Sequence, residues 1–210
     1  MKNILLIRHG QSEWNKLNLF TGFKNVELSE EGILEAKKAA DLFIQLNLSF
    51  DIVFTSVLNR AQKTANIILD KIGQLDDLNS SHKIISDSAL NERDYGELTG
   101  LNKKETANKY GDEQVHKWRR GYSDRPPGGE SLEDVVSRVS KYFHDKIKVQ
   151  IEDKSVNNIL IAAHGNSLRA MMIELGMYKP EEISSIELPT GLPLCINLNK
   201  GKLVDFFYLD

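Results

Sequence analysis

Two histidines in this chain are approached in the same way. Ile4-Leu5-Leu6-Ile7 runs into Arg8-His9-Gly10, and Ile159-Leu160-Ile161-Ala162-Ala163 runs into His164-Gly165. A neutral imidazole nitrogen is a competent nucleophile toward phosphorus, and with an ordinary pKa of about 6.5 most of it is neutral at pH 7. Nearby arginines would favour that neutral form further. A phosphoryl group arriving in line needs its other oxygens held and neutralised, which the planar fork of arginine does well, and Arg8 and Arg60 suit that task. At an effective dielectric of about 20, a cation roughly 4 Å from a phosphate charge contributes about 4 kcal/mol, more than a neutral donor. His164 would add a third electrophilic contact. Gly165-Asn166-Ser167, at the opening of a helix, offers backbone N–H groups and a favourable dipole to the same anion.

Strands must deliver both histidines. Four or five consecutive apolar residues are too few for a helix face, and in open α/β sheets ligands collect where strands end. Two strands of one sheet would bring His9 and His164 into one crevice. Between them, Ser29 with Glu30-Glu31 reads as an N-cap opening a helix to about Leu46, with Ile33, Ala36, Ala40, Phe43 and Ile44 inward. Asp51–Thr55 reads as a second strand, followed by a helix carrying Ala61, Ala65, Ile68 and Ile72 on one face and Arg60 in its first turn. Such alternation predicts an α/β fold of three layers, a mainly parallel central sheet with helices on both faces.

Residues 74–81 read as an exposed loop before a short strand near Lys83–Ile85. Leu90-Asn91-Glu92-Arg93-Asp94-Tyr95-Gly96 is dense in charge between apolar neighbours, which suits a loop facing a polar site. Short helices are expected over 103–110, with Gly111 as cap, and over 113–120. Pro126-Pro127-Gly128-Gly129 breaks the chain, and Ser131 with Asp134 resembles a capping box opening one helix with Leu132, Val135, Val136, Val139, Phe143 and Ile147 on a stripe. A further helix is expected from about Ser167, its Leu168, Met171, Met172 and Leu175 in the core. Closing strands at 194–198 and 203–208 flank Lys200-Gly201.

Composition narrows the function. The 210 residues suffice for one well-filled core, so a single catalytic domain over 1–210 is expected. Twenty-seven basic against thirty acidic residues leave a net charge of -3, which argues against a nucleic-acid partner and makes any anion site local. The single Cys195 excludes an internal disulfide and a multi-cysteine zinc site, and no H-E-x-x-H pair is present, so no metal is expected. Without a signal core or a run of membrane-spanning length, the expectation is a cytoplasmic protein with no membrane partner. His82, His116 and His144 read as structural or incidental.

The stretch Leu6 to Asn15 resembles the signature of the histidine phosphatase superfamily, and most of all its cofactor-dependent phosphoglycerate mutase branch. The similarity extends through Phe20-Thr21-Gly22, Thr55 to Ala61, Leu90 to Gly96, Gly100 to Lys103, Tyr110 to Val115, Trp118-Arg119-Arg120, Ala162 to Arg169 and Pro189-Thr190-Gly191. The resemblance implies that His9 becomes phosphohistidine, with Arg8, Arg60 and His164 around the transferring group and Glu92 as proton donor and acceptor. It implies substrate contacts from Gly10, Gln11, Ser12, Asn15, Thr21, Gly22, Arg93, Tyr95, Lys103, Arg119, Arg120, Gly165 and Asn166. The implied reaction interconverts 2-phosphoglycerate and 3-phosphoglycerate, primed by 2,3-bisphosphoglycerate, with phosphorylated small acids as partners, and the resemblance suggests a homodimer. A phosphomonoesterase of the same superfamily, or a non-catalytic phosphoanion-binding protein, stays open on the residues alone; Lys103, Arg119 and Arg120 favour the mutase. The brief connection from Arg120 to Glu130 and the stop at Asp210 depart from family members with an extra segment and a covering tail. Some hydrolysis of 2,3-bisphosphoglycerate is therefore expected beside the mutase reaction.

Overall fold

A computed structural model describes residues 1–210. Along the chain it forms β1 (Lys2–Arg8), α1 (Glu13–Lys16), α2 (Glu30–Gln45), β2 (Ile52–Thr55), α3 (Asn59–Lys71), α4 (Leu75–Ser80) and β3 (Ile84–Ser86). There follow α5 (Lys103–Tyr110), α6 (Asp112–Arg120), α7 (Leu132–Tyr142), α8 (Lys148–Glu152), β4 (Asn158–Ala163), α9 (Gly165–Glu174), α10 (Pro180–Ile183), β5 (Leu194–Asn199) and β6 (Lys202–Tyr208). The strands form one sheet in the order β3-β2-β4-β1-β5-β6. β3, β2, β4 and β1 run parallel, while β5 and β6 close one side antiparallel.

Strand alternation distributes the core between two faces. Leu5, Ile7, Val53, Leu160 and Ala162 meet Ala36, Ala40 and Phe43 of α2 and Ala65 and Ile68 of α3. Ile4, Leu6, Phe54, Ile159 and Ile161 meet Val135 and Val139 of α7 and Leu168 and Met171 of α9. Helices thus cover both faces, as the βαβ alternation requires. Each fully buried Leu or Ile contributes about 1.5–3 kcal/mol, so these two layers hold the strand ends rigidly.

Several element readings change. Residues 75–80 are helical rather than loop, because Leu78 is buried against the α2–α3 layer and gives the turn an apolar side. The inward face of α2 uses Gly32 and Ala39, and Ile44 is exposed. The stripe expected to continue one helix past Val139 is carried by a π turn over Phe143–Ile147. Residues four apart drift by about 40° per step on a regular helix, and the wider turn absorbs the drift, keeping Phe143 and Ile147 buried. α9 begins at Gly165, two residues before the expected start, with His164 as its N-cap. α10 was not expected; Lys179-Pro180 opens it, with Glu181 and Glu182 in its first turn. No helix is long and apolar enough to cross a membrane.

Candidate active site

β1 and β4 are adjacent and parallel, with Arg8 opposite Ala163, so the ladder places the next residues, His9 and His164, side by side. The His9 backbone N–H donates to the Ala163 carbonyl at 3.0 Å, and the two imidazole centroids lie 5.0 Å apart. Beyond His9 the chain turns tightly onto the start of α2: a Cβ on Gly10 would stand 2.2 Å from the Gly32 carbonyl oxygen. That turn lets Nδ1 of His9 donate to the Gly10 carbonyl at 2.7 Å, which leaves Nε2 with its lone pair. Nε of Arg60 donates to this nitrogen at 3.3 Å, while its other nitrogens donate to the carbonyls of Gly22 at 2.9 Å and Lys24 at 3.0 Å. Burial, then the charges of Arg60 and Arg8, hold the His9 pKa well below the ordinary imidazole value despite the Gly10 hydrogen bond. Burial and the same cations depress His164 too. Both rings are neutral at physiological pH.

Arg8 donates to the Leu188 carbonyl at 3.0 Å, and Oγ of Ser56 lies 2.7 Å from Nε2 of His164. Two buried polar atoms beside this pair have no partner: Nε of Arg8 and Nδ1 of His164. An unsatisfied buried donor costs about 1–3 kcal/mol, so both positions suit the oxygens of an anionic ligand. Nε of Arg8 and Oε2 of Glu92 each lie 3.8 Å from where a Gly165 Cβ would stand, so the absent side chain leaves this space open.

Glu92 reaches the same space from the loop after β3. Its Oε1 accepts from the backbone N–H of Arg93 at 2.8 Å, and from Asn166 through N–H at 3.1 Å and Nδ2 at 3.0 Å. Burial alone would raise its pKa, but the Arg93 N–H, Arg8, Arg60 and Asn166 outweigh it and the carboxyl lies below its ordinary value. The loop is braced from behind by Arg138, which donates to the carbonyls of Ala89, Asn91 and Glu92 at 2.7–3.0 Å.

Above this floor the pocket is walled by Asn15, Thr21, Gly22, Tyr95, Lys103, Arg119, Arg120 and Asn166, and only two of its sixteen lining residues are hydrophobic. Six cationic side chains face two carboxylates there. Burial and the charge of Arg119 draw the Lys103 pKa down to about 8. Four expected substrate contacts lie elsewhere. Gly10 faces the backbone of α2; Gln11 accepts from Ser29; Ser12 is fully buried as the N-cap of α1. Arg93 is fully buried and turned away, donating to the carbonyls of Glu130 at 2.7 Å and Asp124 at 2.8 Å, so it ties down the short 120–130 connection. Three pocket residues were not expected, the apolar Leu19 and the charged Arg169 and Glu187. Arg169 donates to Oδ1 of Asn166 at 3.3 Å and to the Ile186 carbonyl at 2.8 Å; a lone charge within the apolar face of α9 was its signal. Glu187 carried none. No cluster of three or more His, Cys, Asp or Glu side chains is placed to hold a metal ion.

A strand-end histidine pair locked by arginines, with a carboxylate alongside, is the arrangement of a phosphoryl-transfer enzyme working through histidine. Residues 4–203 match the histidine phosphatase superfamily (branch 1), and the chain belongs to that superfamily. Its curated relatives narrow the branch. The 2,3-bisphosphoglycerate-dependent phosphoglycerate mutase of Mesorhizobium japonicum is 50% identical over 204 residues, covering 97% of this chain and 95% of its own. The enzyme of the same name from Azorhizobium caulinodans is 47% identical over 201 residues, covering 96% and 94%. Among solved structures, a mycobacterial glucosyl-3-phosphoglycerate phosphatase superposes with a TM-score of 0.79 at 22% identity over 94% of this chain and 93% of its own. The α-ribazole phosphatase of Shigella flexneri does so with 0.75 at 24% identity, covering 96% and 93%. At those identities the solved structures speak for the fold.

Proposed function

We propose that this chain is a phosphoglycerate mutase of glycolysis and gluconeogenesis that interconverts 2-phosphoglycerate and 3-phosphoglycerate through phosphohistidine at His9. The observation that carries the reading is the unprotonated Nε2 of His9, which accepts only a long 3.3 Å hydrogen bond from Arg60 and lies in a cation-lined pocket beside a carboxylate with one uncommitted oxygen. In the priming half-reaction Nε2 attacks a phosphorus of 2,3-bisphosphoglycerate. The P–O bond to the glycerate oxygen breaks, and Arg8, Arg60 and Nδ1–H of His164 take up the charge on the transferring oxygens. His164 serves as this donor when neutral, with Nε2 accepting from the Ser56 hydroxyl, which itself accepts the N–H of Leu58 at 3.2 Å.

Glu92 moves the proton. With its pKa below the ordinary carboxyl value it is ionised, which suits it to take the proton of an attacking hydroxyl when phosphohistidine is to be discharged. The phosphate charges of a bound bisphosphate raise its pKa, so the same group can then protonate the departing oxygen. Asn15, Thr21, Gly22, Tyr95, Lys103, Arg119, Arg120, Gly165 and Asn166 would hold the carboxylate and second phosphate while the bisphosphate reorients. The relatives' names support 2,3-bisphosphoglycerate as primer, and a cytoplasmic site of action belongs to the same reading.

The test is conversion of 3-phosphoglycerate to 2-phosphoglycerate in EDTA, with and without trace 2,3-bisphosphoglycerate, followed by phosphorus NMR. Stimulation by the bisphosphate and indifference to EDTA are expected; phosphate release without isomerisation would replace the mutase by a phosphatase. Slow hydrolysis of 2,3-bisphosphoglycerate is expected as a side reaction, since the rim cations are only half-buried and water reaches the pocket. Phosphate release no faster than the blank would remove it.

A further inference from the structure

Three consecutive residues, Ile186, Glu187 and Leu188, collect three of the pocket's arginines. The Ile186 carbonyl accepts from Arg169 at 2.8 Å, the Leu188 carbonyl accepts from Arg8 at 3.0 Å, and the Glu187 carboxylate pairs with Arg120. The two carbonyls belong to the backbone and stay where the fold puts them. Glu187 is different in kind. Its side chain is 69% exposed and free to swing on three rotatable bonds, while Arg120 is only 21% exposed. It is also one of only two carboxylates lining the pocket, and the other, Glu92, is buried and fixed by three hydrogen bonds.

We propose that Glu187 is the resident counter-ion of the outer cradle: its carboxylate occupies Arg120 until an incoming carboxylate or phosphate displaces it, and it thereby sets how tightly anionic substrates bind. The inference deepens the mutase reading and rests on it for the identity of the displacing group. The physics is an exchange of one anion for another. Lys103, Arg119, Arg120 and Arg169 crowd one wall, and without a ligand their mutual repulsion is relieved at Arg120 by Glu187. A carboxylate is the same group that a phosphoglycerate presents, so the intramolecular partner has the right geometry for the guanidinium fork. An exposed ion pair is weak, which makes it displaceable. When the ligand leaves, Glu187 recaptures Arg120 and rebinding of product is discouraged.

The test is calorimetric titration of the whole protein with 3-phosphoglycerate, and in parallel with inorganic sulfate, which needs no particular carbon skeleton. Glu187→Gln keeps the size of the side chain and removes the charge. It is expected to lower the Kd for both ligands by about three- to tenfold, the range that loss of one exposed competing ion pair allows. Glu187→Asp is expected to bind near the wild-type value. Arg120→Gln with Glu187→Gln is expected to bind no more tightly than Arg120→Gln alone, because the competitor acts through that guanidinium. Equal or weaker binding in Glu187→Gln, or a gain that persists without Arg120, would overturn the proposal. A wild-type protein that fails to isomerise 3-phosphoglycerate, yet binds sulfate more tightly after Glu187→Gln, would sink the mutase reading and support the counter-ion.

Discussion

At the floor of the pocket, Arg60 is fastened to the carbonyls of Gly22 and Lys24 and Arg8 to that of Leu188, whereas at the rim Arg120 is held by an exposed side chain and Lys103 stands 5.9 Å from the ring of Phe20. The floor comes from strand ends and the first turns of α3 and α9, which two apolar layers hold in place. The rim comes from α5 and α6, whose outer faces are largely in water. A transition state in which phosphorus moves by an ångström needs donors already in position, since reorienting them during the reaction would raise the barrier. A substrate that must enter, turn over and leave needs donors that yield. The contrast separates groups that govern turnover from groups that govern occupancy.

The strongest way to break that separation is at the floor. His9→Ala should lower kcat by about 10⁴ or more and abolish the single phosphoryl adduct seen by intact mass after incubation with 2,3-bisphosphoglycerate. An adduct that survives would move the nucleophile elsewhere. Arg60→Ala should cost about 10²–10³ in kcat with a smaller change in KM. Arg119→Ala should show the opposite balance, raising KM by about 10- to 100-fold with kcat less affected; a pure kcat defect there would erase the distinction between floor and rim. Ser56→Ala, which removes the partner of His164 Nε2, should cost about three- to tenfold in kcat by loosening the ring.

The mildest effect concerns stability. His9 and His164 have folded pKa values below the ordinary imidazole value, so at acid pH the unfolded chain takes up protons that the folded chain refuses. Stability is therefore complete above about pH 6.5 and falls as pH drops below it, by up to about 1.4 kcal/mol per unit for each ring. Urea melts between pH 7 and pH 5 should show a shallower pH slope in His164→Asn than in the wild type. An unchanged slope would mean that the ring is solvated and charged.

What the bare sequence disclosed follows the same division. Both strands, their His-Gly ends, Arg60 in the first turn of α3 and the capping box at Ser131 were legible because each depends on local pattern or on motifs of few residues. Glu92 and the Lys103 and Arg119-Arg120 blocks came from resemblance, since a loop carboxylate or a helix-end cation has no pattern of its own. The inward turn of Arg93 was hidden: only the folded 120–130 connection supplies the carbonyls that capture it. Glu187 was equally hidden, because its meaning lies in an arginine sixty-seven positions earlier in the chain. α4 was misread because one buried leucine outweighed six polar neighbours.

The parallel register of β1 and β4 gives the two histidines no independent existence. Their separation is a ladder spacing, set by the same backbone hydrogen bonds that close the centre of the sheet, and a slip of one residue would turn one ring to the opposite face. No local fraying can therefore dismantle the nucleophile while leaving the sheet intact. At saturating 2,3-bisphosphoglycerate, phosphorylation of His9 should persist up to the denaturant concentration where the sheet itself melts, making the adduct a chemical reporter of global unfolding, while loosening of α5 and α6 raises the bisphosphate concentration needed well before that point.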